Sequence, residues 1–409
     1  MQIDYKLKDK FDFGLFIPCF LLIGIGLLAI YSSTLNNPSA GSNFEKQLIW
    51  AAAGIVIFFI IYSLPTNTFR YAAIPMYIFS LLLLIAVIVI GRQVSGAKSW
   101  FDIGPFGFQP SETAKIGTIL GLSAFLSRRN ANIDSFLDIF LAIFIGFIPI
   151  ALILLEPDMG TAIVFGGMIL ALIFWKGISL FSLFVVLSPV FVAVSALFGV
   201  YYFIGALVLI AITLFIFKKN VFFSGSIFAL NLGAGFLVDY AYSILSPHQQ
   251  RRIQSFLDPM ADPLGAGYNA IQAKVAIGSG GFLGKGFLAG NQTQLQYIPE
   301  QWTDFIYCVV GEEFGFIGSV IVIGLFLFLF LRLLKIASAA KDEFLSLVLV
   351  GILSVYFIHF VVNIGMTIGI LPVIGIPLPF VSYGGSSLLV NLFMLGIAAN
   401  IYRTRKSYA

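Results

Sequence analysis

The sequence predicts an all-α polytopic membrane protein of about twelve transmembrane helices, and three observations carry that prediction. Of 409 residues, 59% are hydrophobic and only 10% charged, whereas soluble domains carry about 25% charged residues. Apolar runs near helix-spanning length recur along the whole chain, and a helix rising 1.5 Å per residue needs about 20 residues to cross a hydrocarbon core of about 30 Å. Lys and Arg fall in short clusters between those runs, the pattern of cytoplasmic loops. A water-soluble core is excluded. A formal net charge of +4, scattered in this way, gives no reason to expect nucleic acid.

The first span is expected at residues 13–33. Lys6, Lys8 and Lys10 precede it, but the apolar run is full length and lacks a small-residue cleavage site, so it reads as a retained span and not a removable signal. Spans follow at 47–64, 71–91, 110–127, 137–155 and 159–175. Three closely linked ones come next, at 179–199, 201–217 and 221–243, and the last three lie at 303–334, 343–370 and 379–402. With a cytoplasmic N-terminus this count puts Arg70, Arg128 with Arg129, Lys176, Lys218 with Lys219, Arg332 with Lys335 and Lys341, and Arg403, Arg405 and Lys406 inside, as the positive-inside rule requires. Both termini are then cytoplasmic, and residues 92–109, 156–158, 244–302 and 371–378 form the outer, active surface. Residues 1–409 are expected to make one integral membrane domain, without internal repeats or inverted halves. Cys19 and Cys308 lie inside apolar segments with no metal-ligand spacing around them and read as core residues, not a disulfide framework.

Residues 244–302 are the longest non-spanning stretch, and a connection beyond about 15 residues is more often functional or disordered than a plain link. A surface helix at 248–258 (HQQRRIQSFLD), Gly-rich turns at 278–286 (GSGGFLGKG) and the apolar anchors Phe256, Leu264, Phe282 and Leu288 predict a folded cap on the membrane. Within it, FLDPMADPLGAGYN (256–269) sets Asp258 and Asp262 each before a proline. Proline disfavours helix at the residue before it, so each aspartate is held in a turn. Such a turn is by itself more often a cap than a catalyst. Its place on the one long outer segment of a carboxylate-poor chain favours chemistry.

Ionisable groups at membrane depth are functional hypotheses when partners can be named for them. In QPSETAK (109–115) a helix starts at Pro110 and Ser111, and Glu112 and Lys115 share one face. They read either as a structural ion pair or as a cation poised for a diphosphate with help from the helix dipole. In EPDMGTA (156–162) two carboxylates flank a proline. Asp158 caps the next helix, pairs with Lys115, or contacts a ligand or metal. Of Glu312 and Glu313, one is expected in a buried pair. His359 and Asn363 share a face, and a lone intramembrane histidine more often satisfies a neighbouring helix than binds a metal.

QPSETAK, EPDMGTA, DPLGAGYN, GSGGFLGKG, YIPEQWTDFIYCVVGEEFG (297–315) and PLPFVSYGGSS (377–387), six collinear motifs over nearly the whole chain, resemble the shape, elongation, division and sporulation (SEDS) family. RodA and FtsW are its best-known members, and the DPLGAG, IGSGG and PEQWTDF wording is nearer to the elongation member. The resemblance implies a peptidoglycan glycosyltransferase of the bacterial cytoplasmic membrane that polymerises lipid II into glycan strands during elongation and shape maintenance, working with a class B penicillin-binding protein. The family's catalytic aspartate maps to Asp262, and Glu112, Lys115 and Asp158 match positions lining the central cavity. Lys98, Ser382 and Ser386 are further candidates for that cavity. Two features depart from the family. It usually has ten spans, so residues 179–219 read as an extra helix pair, and Trp302 stands where the family commonly has histidine.

Polymerisation with inversion needs a base for the acceptor hydroxyl, which the Asp262 carboxylate suits, while a diphosphate leaves without needing a proton. Its charge can be met by Lys115, by a helix N-terminus, or by a divalent cation, magnesium or manganese, with Asp262 as the candidate ligand. No organic cofactor is expected. Two other functions fit a protein of this class. A lipid II flippase requires a polar track through the membrane, and Lys115, Asp158, Glu312 and Glu313 make a poor one. A non-catalytic scaffold requires that no single carboxylate matter to polymerisation.

Overall fold

A computed structural model gives the fold and describes residues 11–37, 40–94, 97–103, 106–128, 136–217, 220–245, 247–260, 262–263, 265 and 267–405. Of the residues singled out above, Lys6, Lys8, Lys10, Arg129, Lys218, Lys219, Leu264 and Lys406 lie outside these. The chain forms two compact units, one of Met1–Lys176 with Tyr268–Ala409 and one of Gly177–Gly267.

The first unit opens with α1 (Phe13–Thr34), started by Asp12, whose side chain accepts from the Gly14 N–H. α2 (Asn43–Ser63) and α3 (Asn67–Ile90) follow. Three short antiparallel strands, β1 (Arg92–Val94), β2 (Ala97–Ile103) and β3 (Phe106–Phe108), make a small sheet in that order. α4 (Pro110–Leu126) begins on a proline, which is preset for the first helical turn. α5 (Phe136–Leu155) and α6 (Met159–Trp175) end this half.

The second unit contains α7 (Leu180–Leu197), α8 (Val200–Phe217) and α9 (Val221–Phe236). They pack around Phe181, Val192, Ala206, Leu207, Ile210, Leu214 and Ile227. The span expected at 221–243 is interrupted at Leu237, beyond which α10 (Val238–Ile244) starts. The expected surface helix is α11 (Pro247–Leu257), and Phe256 on it meets the ring of Phe198 edge-on.

The first unit resumes with α12 (Tyr268–Ser279) and the short α13 (Asn291–Gln294). It closes with α14 (Ile306–Ala339), α15 (Glu343–Thr367) and α16 (Gly385–Thr404). α16 packs along α2, α14 between α1 and α15, and α15 against α6. α4 is enclosed by α3, α5, α6, α15 and α16. Asn400, fully buried, shares its amide among the carbonyls of Ile61, Tyr62 and Leu64 at 2.7–3.1 Å, fastening α16 to the end of α2.

Every expected span overlaps a helix, the one at 221–243 being broken at Leu237. Among the described residues nine helices are long and apolar enough to cross a membrane, and α6 and α9 are shorter apolar ones. α4 is a further, largely buried helix of 17 residues, with Glu112 and Lys115 inside it. The chain is a multi-pass membrane protein. Cys19 and Cys308 are both buried and unbridged. One end of the first unit gathers the ion pairs Arg70–Asp342, Arg128–Asp138, Lys176–Glu343 and Arg332–Asp12.

Candidate active site

α4 is buried on nearly every side, and its first turns carry the charge. Lys115 Nζ lies 2.8 Å from Glu112 Oε1 and 3.1 Å from His359 Nε2 on α15, and all three side chains are buried. An ammonium only donates. Nε2 therefore accepts, and the proton on Nδ1 goes to the Pro377 carbonyl at 3.0 Å. In this arrangement His359 is the neutral Nδ1–H tautomer. Removing one partner from a buried pair typically costs about 3–5 kcal/mol, so the lysine is strongly held.

Glu112 Oε2 and the hydroxyls of Ser111 and Thr118 are also buried, without a partner among the described residues. Ser111, Lys115 and Thr118 recur at helical spacing on one face. Buried polar groups are nearly always bonded, so this face has hydrogen-bonding capacity left for a polar ligand or water.

Asp158 caps α6. Its Oδ1 accepts from the Thr161 N–H at 3.0 Å and Oδ2 from the Thr161 hydroxyl at 2.7 Å. Gln109, just before α4, donates to Oδ2 at 3.2 Å. The carboxylate thus ties together the starts of α4 and α6, while Lys115 pairs with Glu112. Two residues earlier, Glu156 is buried with neither oxygen bonded among the described residues. Burial, and then the nearby Asp158 charge, pushes its carboxyl up to about 8.

The segment between α15 and α16 is fixed by side chains from three elements. Ser382 Oγ donates to the Thr303 carbonyl at 2.6 Å and accepts from the Leu378 N–H at 2.8 Å. Gln47 on α2 donates to the Ser382 carbonyl and accepts from Gly384 N–H. Asn363, one turn past His359, donates to the carbonyls of Asp304 and Ile376 at 2.9 and 2.7 Å. Ser382 is therefore a structural clamp, and Ser386 is buried in the first turn of α16. Lys98 projects from β2 and is exposed. His359 satisfies a neighbouring helix, as expected of a lone intramembrane histidine, whereas Gln47 is a contributor that was not expected. The i, i+4 spacing of His359 and Asn363 is their one local signal; Gln47 offers none.

Glu312, at the start of α14, organises the chain before it. Its carboxylate accepts from Lys285 Nζ, from the Gln292 and Thr293 N–H groups and from the Thr293 hydroxyl, all at 2.8–2.9 Å. This fulfils the expectation of a buried pair. Glu313 beside it bonds the Ser32 hydroxyl. The Gly-rich turns lie directly on α14 at its kink: Lys285 and Gly286 N–H donate to the carbonyls of Glu312 and Glu313, and Phe316 and Ile317 N–H to those of Gly281 and Phe282. Gly315 sits at the kink with φ +66°, and a Cβ there would meet the Gly284 nitrogen at 2.2 Å.

In the second unit Asp262 is exposed and lies outside any helix. Its Oδ1 accepts from the Gly265 N–H at 3.0 Å, and its carbonyl from the Gly267 N–H at 3.0 Å. A Cβ at Gly265 would fall 2.2 Å from Asp262 Oδ2, so a side chain there would push the carboxylate aside. Asp258 forms a similar turn with the Met260 N–H. Among the described residues no three His, Cys, Asp or Glu side chains gather as a metal site, so Asp262 would hold a metal only together with ligands from the substrate or water.

The FtsW/RodA/SpoVE family model, described as cell cycle protein, matches residues 13–204 and 203–407. The chain belongs to this family. Among FtsW/RodA/SpoVE members, the peptidoglycan glycosyltransferase RodA of Treponema pallidum (strain Nichols) is 35% identical, over 96% of this chain and 98% of its own. The peptidoglycan glycosyltransferase MrdB of Escherichia coli (strain K12) is also 35% identical, over 95% and 94%. A crystal structure of Thermus thermophilus rod shape determining protein RodA superposes with TM-score 0.65 at 27% identity, covering 97% of each chain. A chain from a peptidoglycan synthase complex that coordinates polymerization and crosslinking gives TM-score 0.75 at 29% identity, covering 97% and 98%. The resemblance carried by the six motifs is borne out.

Proposed function

We propose that this chain is a peptidoglycan glycosyltransferase that polymerises lipid II into glycan strands at the outer face of the bacterial cytoplasmic membrane, in cell elongation. The observation that carries the reading is its near full-length similarity to relatives named for that activity. Asp262 acts as the base. Its carboxylate takes the proton of the acceptor sugar hydroxyl while that oxygen bonds to the donor's anomeric carbon. The bond from that carbon to the lipid diphosphate breaks with its electron pair left on the diphosphate, and the anomeric configuration inverts. An exposed carboxylate held in a turn by Gly265 suits this part. Lys115, with donor capacity beyond Glu112 and His359, meets the anionic part of the substrate, and Asp158 holds together the starts of α4 and α6. A magnesium or manganese ion would neutralise charge on the diphosphate, and Asp262 would be this chain's ligand to it. Both termini are cytoplasmic. A class B penicillin-binding protein crosslinks the product; the similarity to a chain of a synthase complex supports that partnership.

The test is strand formation from labelled lipid II by purified protein with its crosslinking partner, whose own activity is blocked. Asp262→Asn keeps an oxygen for the Gly265 N–H while removing the base. Polymer is expected to fall about 100-fold to 10,000-fold, the range of general base catalysis. Polymer at the wild-type rate would reject Asp262 as the base. No polymer from the wild type itself would reject the polymerase reading in favour of translocation or scaffolding.

A further inference from the structure

At the cation-rich end of the first unit, a cavity of about 220 Å³ opens between the ends of α14 and α16 and the start of α15. Four cations line it, Arg332, Lys335, Lys341 and Arg405, against one acid, Asp342. That acid is already committed. It receives both contacts of Arg70, at 2.8 and 3.0 Å, and caps α15 through the Phe344 N–H. Arg332 is held by Asp12 at 2.7 Å, and Arg405 lies over the Tyr402 ring while donating to the Tyr402 carbonyl. Lys335 and Lys341 are exposed and have no ion-pair partner among the described residues. The cavity therefore carries surplus positive charge that the described chain does not neutralise.

We infer that this cavity binds the phosphodiester headgroup of an anionic phospholipid. Apart from Tyr402 and Thr404 the rest of its lining is apolar, Ile336, Leu345 and Ile401 among it. Leu331 lies one helical turn before Lys335 on the same face of α14 and is 57% exposed. That face runs from apolar to cationic toward the end of the helix, the sequence a lipid presents from acyl chain to phosphate. Basic pockets between spanning helices select anionic headgroups in this way. A soluble anion would gain nothing from the apolar wall. The site shares no residue with the chemistry proposed above, so it stands whether or not that reading holds.

The full-length protein is purified and its thermal stability and co-purifying lipid are followed on titration with phosphatidylglycerol, with phosphatidylcholine, and with inorganic phosphate alone. Lys335→Gln with Lys341→Gln is compared with Arg128→Gln, a charge removed at the same end of the unit outside the cavity. Phosphatidylglycerol is expected to stabilise the wild type selectively, with affinity falling about fivefold per lysine removed and unchanged in Arg128→Gln. Equal response to both lipids, equal retention by the double variant, or equal loss in Arg128→Gln would overturn the site. Protection by inorganic phosphate as strong as by the lipid would assign it to a soluble phosphate and overturn the lipid. Melting without lipid shows whether the double variant is folded, and both lysines are exposed enough for it to be so.

Discussion

Glu156 is buried with two unbonded oxygens, which makes it sensitive to proton concentration. Its carboxyl rises from an ordinary value of 4.5 to about 8, by burial first and by the Asp158 charge second. The folded protein therefore holds a proton that the unfolded chain releases near 4.5. The stability from this site is fully present below that value and is lost as pH rises through about 8. Glu156→Gln should leave the melting temperature unchanged at pH 4, raise it at pH 9, and flatten its slope between. A wild-type slope that survives the substitution would assign the dependence elsewhere. The two acids of EPDMGTA were legible as a pair around a proline. Asp158 was legible as a cap, because its partner Thr161 lies three residues on; its tie to α4 was not, because Gln109 lies 49 positions away. Lys115 and Glu112 were legible since three residues of helix fix their contact. His359 as the lysine's second partner was not, since it arrives on another helix 244 positions away.

Among the elements, α14 and the turns before it depend on one another. Helix N–H groups at Phe316 and Ile317 take their acceptors from the turn at 281–282, and the helix carbonyls of Glu312 and Glu313 accept from the turn. Gly315→Ala would drive a methyl group into the Gly284 backbone and hold an L-residue at positive φ. The second effect alone costs about 1–3 kcal/mol, and the overlap adds to it. Amide exchange over residues 280–296 should accelerate by at least about tenfold in Gly315→Ala, with the rest of the chain protected. Uniform acceleration would mean global destabilisation instead. The helices were read from their apolar runs because span length is a local property. The seam between turn and helix was not, because backbone hydrogen bonds leave little trace in side-chain chemistry beyond the glycines themselves. The run 221–243 showed the reverse limit: it is apolar throughout, yet the helix breaks at Leu237.

For the molecule as a whole, the buried native thiols make sidedness measurable. Cys19 and Cys308 are fully buried, so a membrane-impermeant maleimide applied to intact cells should leave the parent unlabelled. Leu283→Cys, on an exposed position of the Gly-rich turns, should label, while Ser338→Cys, exposed near the end of α14, should label only after the membrane is opened. Reversal of the two would invert the orientation proposed here. The charge clusters made the alternation of spans readable because each loop is marked where it occurs. The division of the chain at Gly177 and Gly267 carries no comparable mark. The length of α14 has a last implication. Its 34 residues reach about 51 Å, well beyond a hydrocarbon slab of about 30 Å. The tract after Gly315 is by itself about 36 Å long. The insertion machinery can therefore take Phe316 onward as the anchor and leave Glu312 and Glu313 in a headpiece, so two carboxylates that hydropathy would count as intramembrane never have to reside in oil.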